Sequence, residues 1–313
     1  MNSTTTSERR SGDYIHLFMI YVIWATGYLA MKIGMSGPNA FGIFQLQSLR
    51  LFLGGGILTV IAYLSGRLSR PGRREIAICT VSAALFWILA NGGALVAVRE
   101  LPSGLVVMAM GTIPLWTALF QRLFSRGSGG SAIALLVGFA GLVLILFPTL
   151  PLGGQSFHIS TLAKAALIFA PIAWVTATRL QPSLQKSMDP IAAAGMQLLI
   201  GGLIALALAE LTGASWPSPP STSSIVALLY LAIFASAIAF FSYVRATSLF
   251  PTSVVSAFAY VNPLVGVFLG WLLLNERPAL ISLGGMALVI VSVILTLRQG
   301  RQQQHQVSEN NNA

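Results

Sequence analysis

Arg50 has the most chemistry to offer of any residue in the chain. It lies nine positions into an apolar run spanning 41–65, roughly 13 Å deep in a helix that rises about 1.5 Å per residue. A guanidinium that far from water must be met by an anion, by carbonyl groups or by water, and its planar fork suits a carboxylate or a phosphate. Two readings stay open. Arg50 binds an anionic group of a solute, or it is structural, bonded to carbonyls of a broken helix or lining a wet vestibule. Trp24, Trp87 and Trp174 fall near the middle of their own runs, although membrane tryptophans favour the interfaces. They could wall an aromatic cavity, or they could simply pack. Tyr28 follows Trp24 by one helical turn, and Asn91 follows Trp87 by one turn. Gln45, Gln47 and Gln197 bring amides that are costly against lipid and should face the bundle interior, as packing groups or as solute contacts. Tyr260 and Asn262 precede Pro263, and Thr112 precedes Pro114. Each proline removes a helix hydrogen bond, so kinks are expected at both, with carbonyls freed where a pocket could form.

What is missing narrows the chemistry. Glu8, Asp13, Glu75, Glu100, Asp189, Glu210, Glu276 and Glu309 all fall at run ends, in loops or in tails, as do His16, His158 and His305. A buried acid carrying a proton at the midplane is therefore not expected. Cys79 is the single cysteine, which excludes an intramolecular disulfide and a cysteine metal site. No metal, no cofactor and no enzymatic activity are expected.

The elements that must position these groups follow from composition. The chain is 55% hydrophobic and 8% charged over 313 residues, where soluble domains carry about 25% charged residues. The expected class is an all-α integral membrane protein embedded in a lipid bilayer. Apolar runs predict ten transmembrane helices, near 15–35, 41–65, 75–98, 103–124, 131–148, 160–180, 190–211, 223–247, 252–274 and 279–297. The net charge of +10 reflects topology rather than nucleic-acid binding. With the N-terminus inside, thirteen Lys and Arg fall on the inner side, against Arg99, Lys164 and Arg277 outside. That bias predicts cytoplasmic N- and C-termini. Lys32, near the outer end of its run, is expected to snorkel. No cleaved signal peptide is expected.

The chain also repeats itself. Pro102 and Pro114 recur as Pro251 and Pro263, each 149 positions later, and Trp24 recurs as Trp174 after 150. Pro38 and Gln45 recur as Pro190 and Gln197, while Gly202 stands where Arg50 would recur. Five helices per copy, an odd number, force the second copy to insert upside down. Two inverted five-helix repeats are predicted, with a solute site between them. The expected organisation is a polar cytoplasmic N-terminus (1–14), a first repeat (15–148), a connecting loop (149–159), a second repeat (160–297) and a disordered cytoplasmic tail (298–313).

These motifs resemble the drug/metabolite transporter superfamily, in particular the ten-span EamA-type permeases. The stretch from Trp24 through Lys32 to Gly34 looks like that family's opening pattern. Pro38 and Arg50 resemble its second-span pair, and Asn262-Pro263 followed by Asn275-Glu276 resembles its proline and glutamate signature. Ala25 and Asn275 stand where the family has glycine, and Gly127 stands where the first copy's acid would be. The resemblance implies transport of small metabolites, often amino acids, by alternating access. The expected protein is an inner-membrane exporter of amino acids or related small molecules. Arg50 would take the anionic group, with Trp24, Tyr28, Trp87, Trp174 and Tyr260 as the wall, and the amino group would be met by carbonyls, Asn262 or an aromatic face. The alternatives are a multidrug or organic-cation exporter, which calls for a cavity acid, and a membrane-embedded enzyme, which calls for an acid, base or metal cluster. A monomer is compatible with the sequence.

Overall fold

The computed structural model describes residues 11–124, 132–149, 159–256, 258–292 and 294–295. Most of the predicted connecting loop, the first ten residues, the predicted tail and Gly127 lie outside the described residues. The described chain is helical throughout, without strands. In lipid every backbone polar group must be satisfied within the chain, and long apolar helices do this. Eight are α1 (Tyr14–Gly34), α2 (Ile43–Leu64), α3 (Arg73–Glu100), α4 (Ser103–Phe124), α5 (Ala132–Thr149), α6 (Thr161–Leu184), α7 (Pro190–Leu211) and α8 (Thr222–Leu249). Two shorter ones complete the ten, α9 (Thr252–Val255 and Phe258–Leu274) and α10 (Leu280–Ser292). Local chemistry sets their ends. Side chains of Ser160, Asp189 and Ser221 accept from backbone N–H groups that open α6, α7 and α8. Gly66 and Gly213, at φ +66° and +64°, follow α2 and α7, where a left-handed residue ends a helix cheaply.

The halves match helix by helix. Lipid supplies no hydrophobic drive between helices, so close backbone approach and hydrogen bonds must hold them. In each central pair of counterparts the contacts run antiparallel. Gly55 meets Leu198 and Leu199, while Gly195 meets Leu58 and Thr59, joining α2 to α7. Gly104 meets Val267 and Gly111 meets Pro263, joining α4 to α9. Gly138 meets Ser292 and Gly141 meets Gly285, joining α5 to α10. Irregularities recur too: α3 widens into a π-helical stretch over Ala84–Ala90, and α8 does so over Leu231–Ile238. The first copy is thus laid against the second in reverse.

Pro114 follows a break in its helix, whereas Pro263 lies within a helical stretch. Helix α4 stops at Met110, turns through Gly111 and Thr112 and restarts at Ile113. Pro114 then sits in the first turn of the restarted helix, where its missing N–H costs nothing. Pro263 lies inside the stretch Phe258–Leu274, and α9 turns earlier, at Ser256. The break in α4 lies against Pro263: a Cβ on Gly111 would lie 2.6 Å from Pro263 Cγ.

The ends of the bundle are fastened differently. At the end where α4 begins, Lys32 does not snorkel. Its Nζ donates to Glu276 Oε1 at 2.8 Å and to the Leu101 carbonyl at 2.9 Å. Glu276 also accepts from the Ser103 N–H (2.9 Å), the Ser103 hydroxyl (2.8 Å) and the Gly104 N–H (3.2 Å). It thereby caps α4, whose N-terminus favours negative charge. Burial disfavours the Glu276 carboxylate, but the bonds from Lys32 and Ser103 outweigh it and hold the carboxyl below its ordinary range. At the opposite end the Arg179 guanidinium lies over Phe120 (6.0 Å) and Phe124 (5.2 Å).

Candidate functional site

Helix α2 carries Arg50 inward, seven residues beyond its start at Ile43, and leaves it 1% exposed. Its Nε donates to Gln47 Oε1 at 2.8 Å and one terminal nitrogen donates to Asn91 Oδ1 at 2.9 Å. Gln47 is fixed in turn, donating its amide to the Trp87 carbonyl at 2.5 Å. That carbonyl belongs to the wide turn of α3. The guanidinium also stands 5.5 Å from the Trp87 ring centroid. Two of its five N–H donors are therefore engaged, all by neutral groups. The ion pair among the described residues is Lys32–Glu276, and no carboxylate there balances Arg50. A buried cation without a counter-charge is costly, and two amide oxygens orient it without neutralising it.

Arg50 opens on a central cavity, lined also by Trp24, Gly27, Tyr28, Met31, Trp87, Asn91, Met110, Ile113, Trp174, Ala235, Phe258 and Asn262. It holds about 440 Å³ of empty space with its mouth included, but a water's centre reaches only about 40 Å³ of it. A few waters fit; a metabolite requires the walls to part. The tryptophans of the two halves meet here, Trp24 and Trp174 at 5.1 Å between centroids and nearly perpendicular. Phe258 packs edge-on to Trp24 at 5.0 Å. Trp24 Nε1 donates to the Ala235 carbonyl in the wide turn of α8 at 3.1 Å, and Trp174 Nε1 donates to Tyr243 Oη at 3.2 Å. Trp87 Nε1 and Asn262 Oδ1 are buried with no partner among the described residues.

The structure therefore brings together Arg50, Trp24, Tyr28, Trp87, Asn91, Trp174 and Asn262 from the residues that sequence reasoning singled out. Gln45 and Gln197 are not among the lining residues. Gln45 accepts from the Gly42 N–H at the start of α2 and donates to the carbonyls of Ala214 and Ser215. Gln197 pairs with Gln181 across α6 and α7 and donates to the Ala193 carbonyl. The Tyr260 side chain lies outside the described residues. Gly27 and Met31 escaped sequence reasoning although they continue the α1 face of Trp24 and Tyr28, at helical spacing. Met110 and Ile113 flank the break that Pro114 foreshadows. Phe258 and Ala235 carried no such signal.

A duplicated, antiparallel bundle of ten apolar helices with a polar chamber at its centre is the architecture of a membrane transporter. Comparison with known proteins shows what the chain is similar to. Residues 161–298 match the EamA-like transporter family. The inner membrane transporter YedA of Escherichia coli is 25% identical over 281 residues, covering 89% of this chain and 88% of its own. A WAT1-related chloroplastic protein of Arabidopsis thaliana is 27% identical over 296 residues, covering 90% of this chain and 69% of its own. A probable terminal-alkyne amino-acid exporter of Streptantibioticus cattleyicolor is 25% identical over 290 residues, covering 90% and 92%. A solved crystal structure shares the fold with a TM-score of 0.67 at 16% identity, covering 94% of this chain and 99% of that one. The second half of the chain thus matches the EamA-like transporter family, and the chain is a multi-pass membrane protein similar over most of its length to proteins named as transporters.

Proposed function

We propose that this permease carries a small solute bearing one anionic group, an amino acid or a related compound, and that its net direction is export. The observation that carries the reading is Arg50, buried, oriented by Gln47 and Asn91 and without a counter-charge. A solute carboxylate completes it through the remaining N–H donors. No carboxylate lines the cavity among the described residues, which argues against organic cations. The amino-acid class and the outward direction draw support from the relative named as an amino-acid exporter. Residues 15–148 and 160–297 act as the two repeats. They rock against each other to expose the cavity to each side in turn, with both termini in the cytoplasm as the Lys and Arg bias indicates.

Counterflow in proteoliposomes tests the proposal, with labelled amino acids beside neutral and cationic metabolites. Carboxylate-bearing solutes should exchange, and Arg50→Ala should cut that exchange at least ~30-fold while leaving the protein folded, since buried charge-pair truncations cost about 2–5 kcal/mol. Arg50→Lys should restore little, because a point charge cannot reach Gln47, Asn91 and a carboxylate together. Exchange of neutral or cationic solutes that is indifferent to Arg50→Ala would refute the assignment and leave Arg50 structural.

A further inference from the structure

Two polar atoms on cavity-lining residues have no hydrogen-bond partner among the described residues. Trp87 Nε1 and Asn262 Oδ1 are buried and unpartnered among the described residues, and their side chains are 2% and 4% exposed. Both residues line the chamber that holds Arg50. The Asn262 carboxamide oxygen has no hydrogen-bond partner among the described residues. Buried polar groups in native proteins are almost always satisfied, and those that are not call for an explanation. Here the two come from opposite halves, Trp87 from α3 and Asn262 from α9, and converge on one space. Their chemistry differs. Indole N–H only donates, whereas a carboxamide also accepts.

We infer that the pair forms a second, uncharged subsite that sets specificity, the inference resting on Arg50 as the anion site. Trp87 stands beside Arg50, 5.5 Å from guanidinium carbon to ring centroid, so its N–H joins Arg50 in holding the solute carboxylate. The Asn262 amide turns its oxygen to an amino group carried next to that carboxylate. A second carboxylate would find no second cation among the lining residues. An ammonium group finds the Asn262 oxygen and the faces of Trp24 and Trp174, which attract cations. Met31, Met110 and Ile113 leave the rest of the wall apolar. The solute is thus an α-amino carboxylate with an apolar side chain, told apart from the plain carboxylate of the same shape by Asn262.

The test is a matrix of ligands and variants in proteoliposomes. Leucine, its α-hydroxy analogue and 4-methylpentanoate, which lacks the amino group, compete for counterflow in wild type, Asn262→Leu and Trp87→Phe. Wild type should prefer leucine to 4-methylpentanoate at least tenfold, with the hydroxy analogue between them. Asn262→Leu should weaken leucine about tenfold and leave 4-methylpentanoate within about threefold, so that the preference collapses. Trp87→Phe should weaken leucine and 4-methylpentanoate by the same factor, about fivefold. Asn262→Ser, smaller and still polar, replaces the leucine variant if that one does not fold, and should give part of the same collapse. The inference is overturned if Asn262 variants weaken both ligands equally or neither. It is equally overturned if Trp87→Phe acts on leucine alone, or if none of the three ligands competes in wild type. Loss of all carboxylate binding in Arg50→Ala together with an unchanged leucine preference in Asn262→Leu sinks this inference alone. Indifference to Arg50→Ala sinks the anion reading beneath it.

Discussion

Replacing Glu276 with glutamine tests the fastening at the start of α4 directly. The carboxylate receives Lys32 Nζ, two backbone N–H groups and the Ser103 hydroxyl, at 2.8–3.2 Å. Deleting a hydrogen bond to a charged group costs about 1.5–3 kcal/mol, and breaking a buried ion pair costs about 3–5 kcal/mol. Two features reduce the total. Lys32 keeps 27% of its side chain exposed and Glu276 keeps 9%, so water screens the pair in part. Glutamine also preserves the volume and one acceptor oxygen. The expected loss is about 2–3 kcal/mol, the range of one charged bond plus the helix-terminus effect. In a chain of 313 residues, with about 2.1 cal/mol/K of unfolding entropy per residue, that lowers the melting temperature by roughly 3–5 °C. The assay is a thermal melt in detergent of wild type, Glu276→Gln, Lys32→Met and the double variant. The two substitutions share one interaction, so their losses should fall short of adding. pH supplies a second readout. The folded carboxyl titrates below its unfolded value of about 4.3. Its contribution is therefore complete above that value and lost as pH falls through the lower folded pKa. Glu276→Gln should flatten this part of the acid profile. A variant melting within about 1 °C of wild type, or strict additivity with Lys32→Met, would refute the account.

Other outcomes follow from packing. Gly201→Ala places a Cβ 2.8 Å from Trp87 Cδ1; overpacking costs about 1–3 kcal/mol, and the displaced indole should lower counterflow more than it lowers expression. Gly111→Ala drives a Cβ to 2.6 Å from Pro263 Cγ and 3.1 Å from the Ala259 carbonyl. It should destabilise the α4–α9 crossing by at least ~2 kcal/mol, seen as a melt shift larger than that of Gly284→Ala, whose Cβ meets nothing within 4 Å. Cys79 is fully buried, so a maleimide should label the folded protein negligibly and label it stoichiometrically after unfolding. Rapid labelling of the folded form would contradict the packing of α3.

Much of the architecture is legible in one dimension because lipid restricts what a chain can do. Apolar run lengths give ten helices with limits within a few residues over most of the chain, and repeated tryptophans and prolines give the reversal of the halves. Arg50 and Trp87 could be picked out because a charge or a large indole deep in an apolar run is conspicuous by itself. The remainder depends on register between distant helices. Nothing local to Gln45 says that its amide will reach the carbonyls of Ala214 and Ser215, or that Gln197 will meet Gln181. Lys32 and Glu276 are 244 residues apart, and each alone looks like an ordinary charge at a helix end. Pro263 removes a donor inside Phe258–Leu274, and nothing local to it says that Gly111 of α4 will pack against its ring.

The wide turns in α3 and α8 hold a further lesson about what evolution can alter here. Their sequences, Ala84–Ala90 and Leu231–Ile238, contain almost nothing but apolar side chains, yet they present the Trp87 carbonyl to Gln47 and the Ala235 carbonyl to Trp24. Polarity at the heart of this bundle is thus encoded partly in backbone pitch rather than in residue identity. Side chains along those turns can be exchanged for others of similar bulk while the acceptors stay in place. A single residue inserted into or deleted from either turn, harmless by any hydropathy measure, would swing that turn's carbonyl away and unseat Gln47 with Arg50, or Trp24, without touching them.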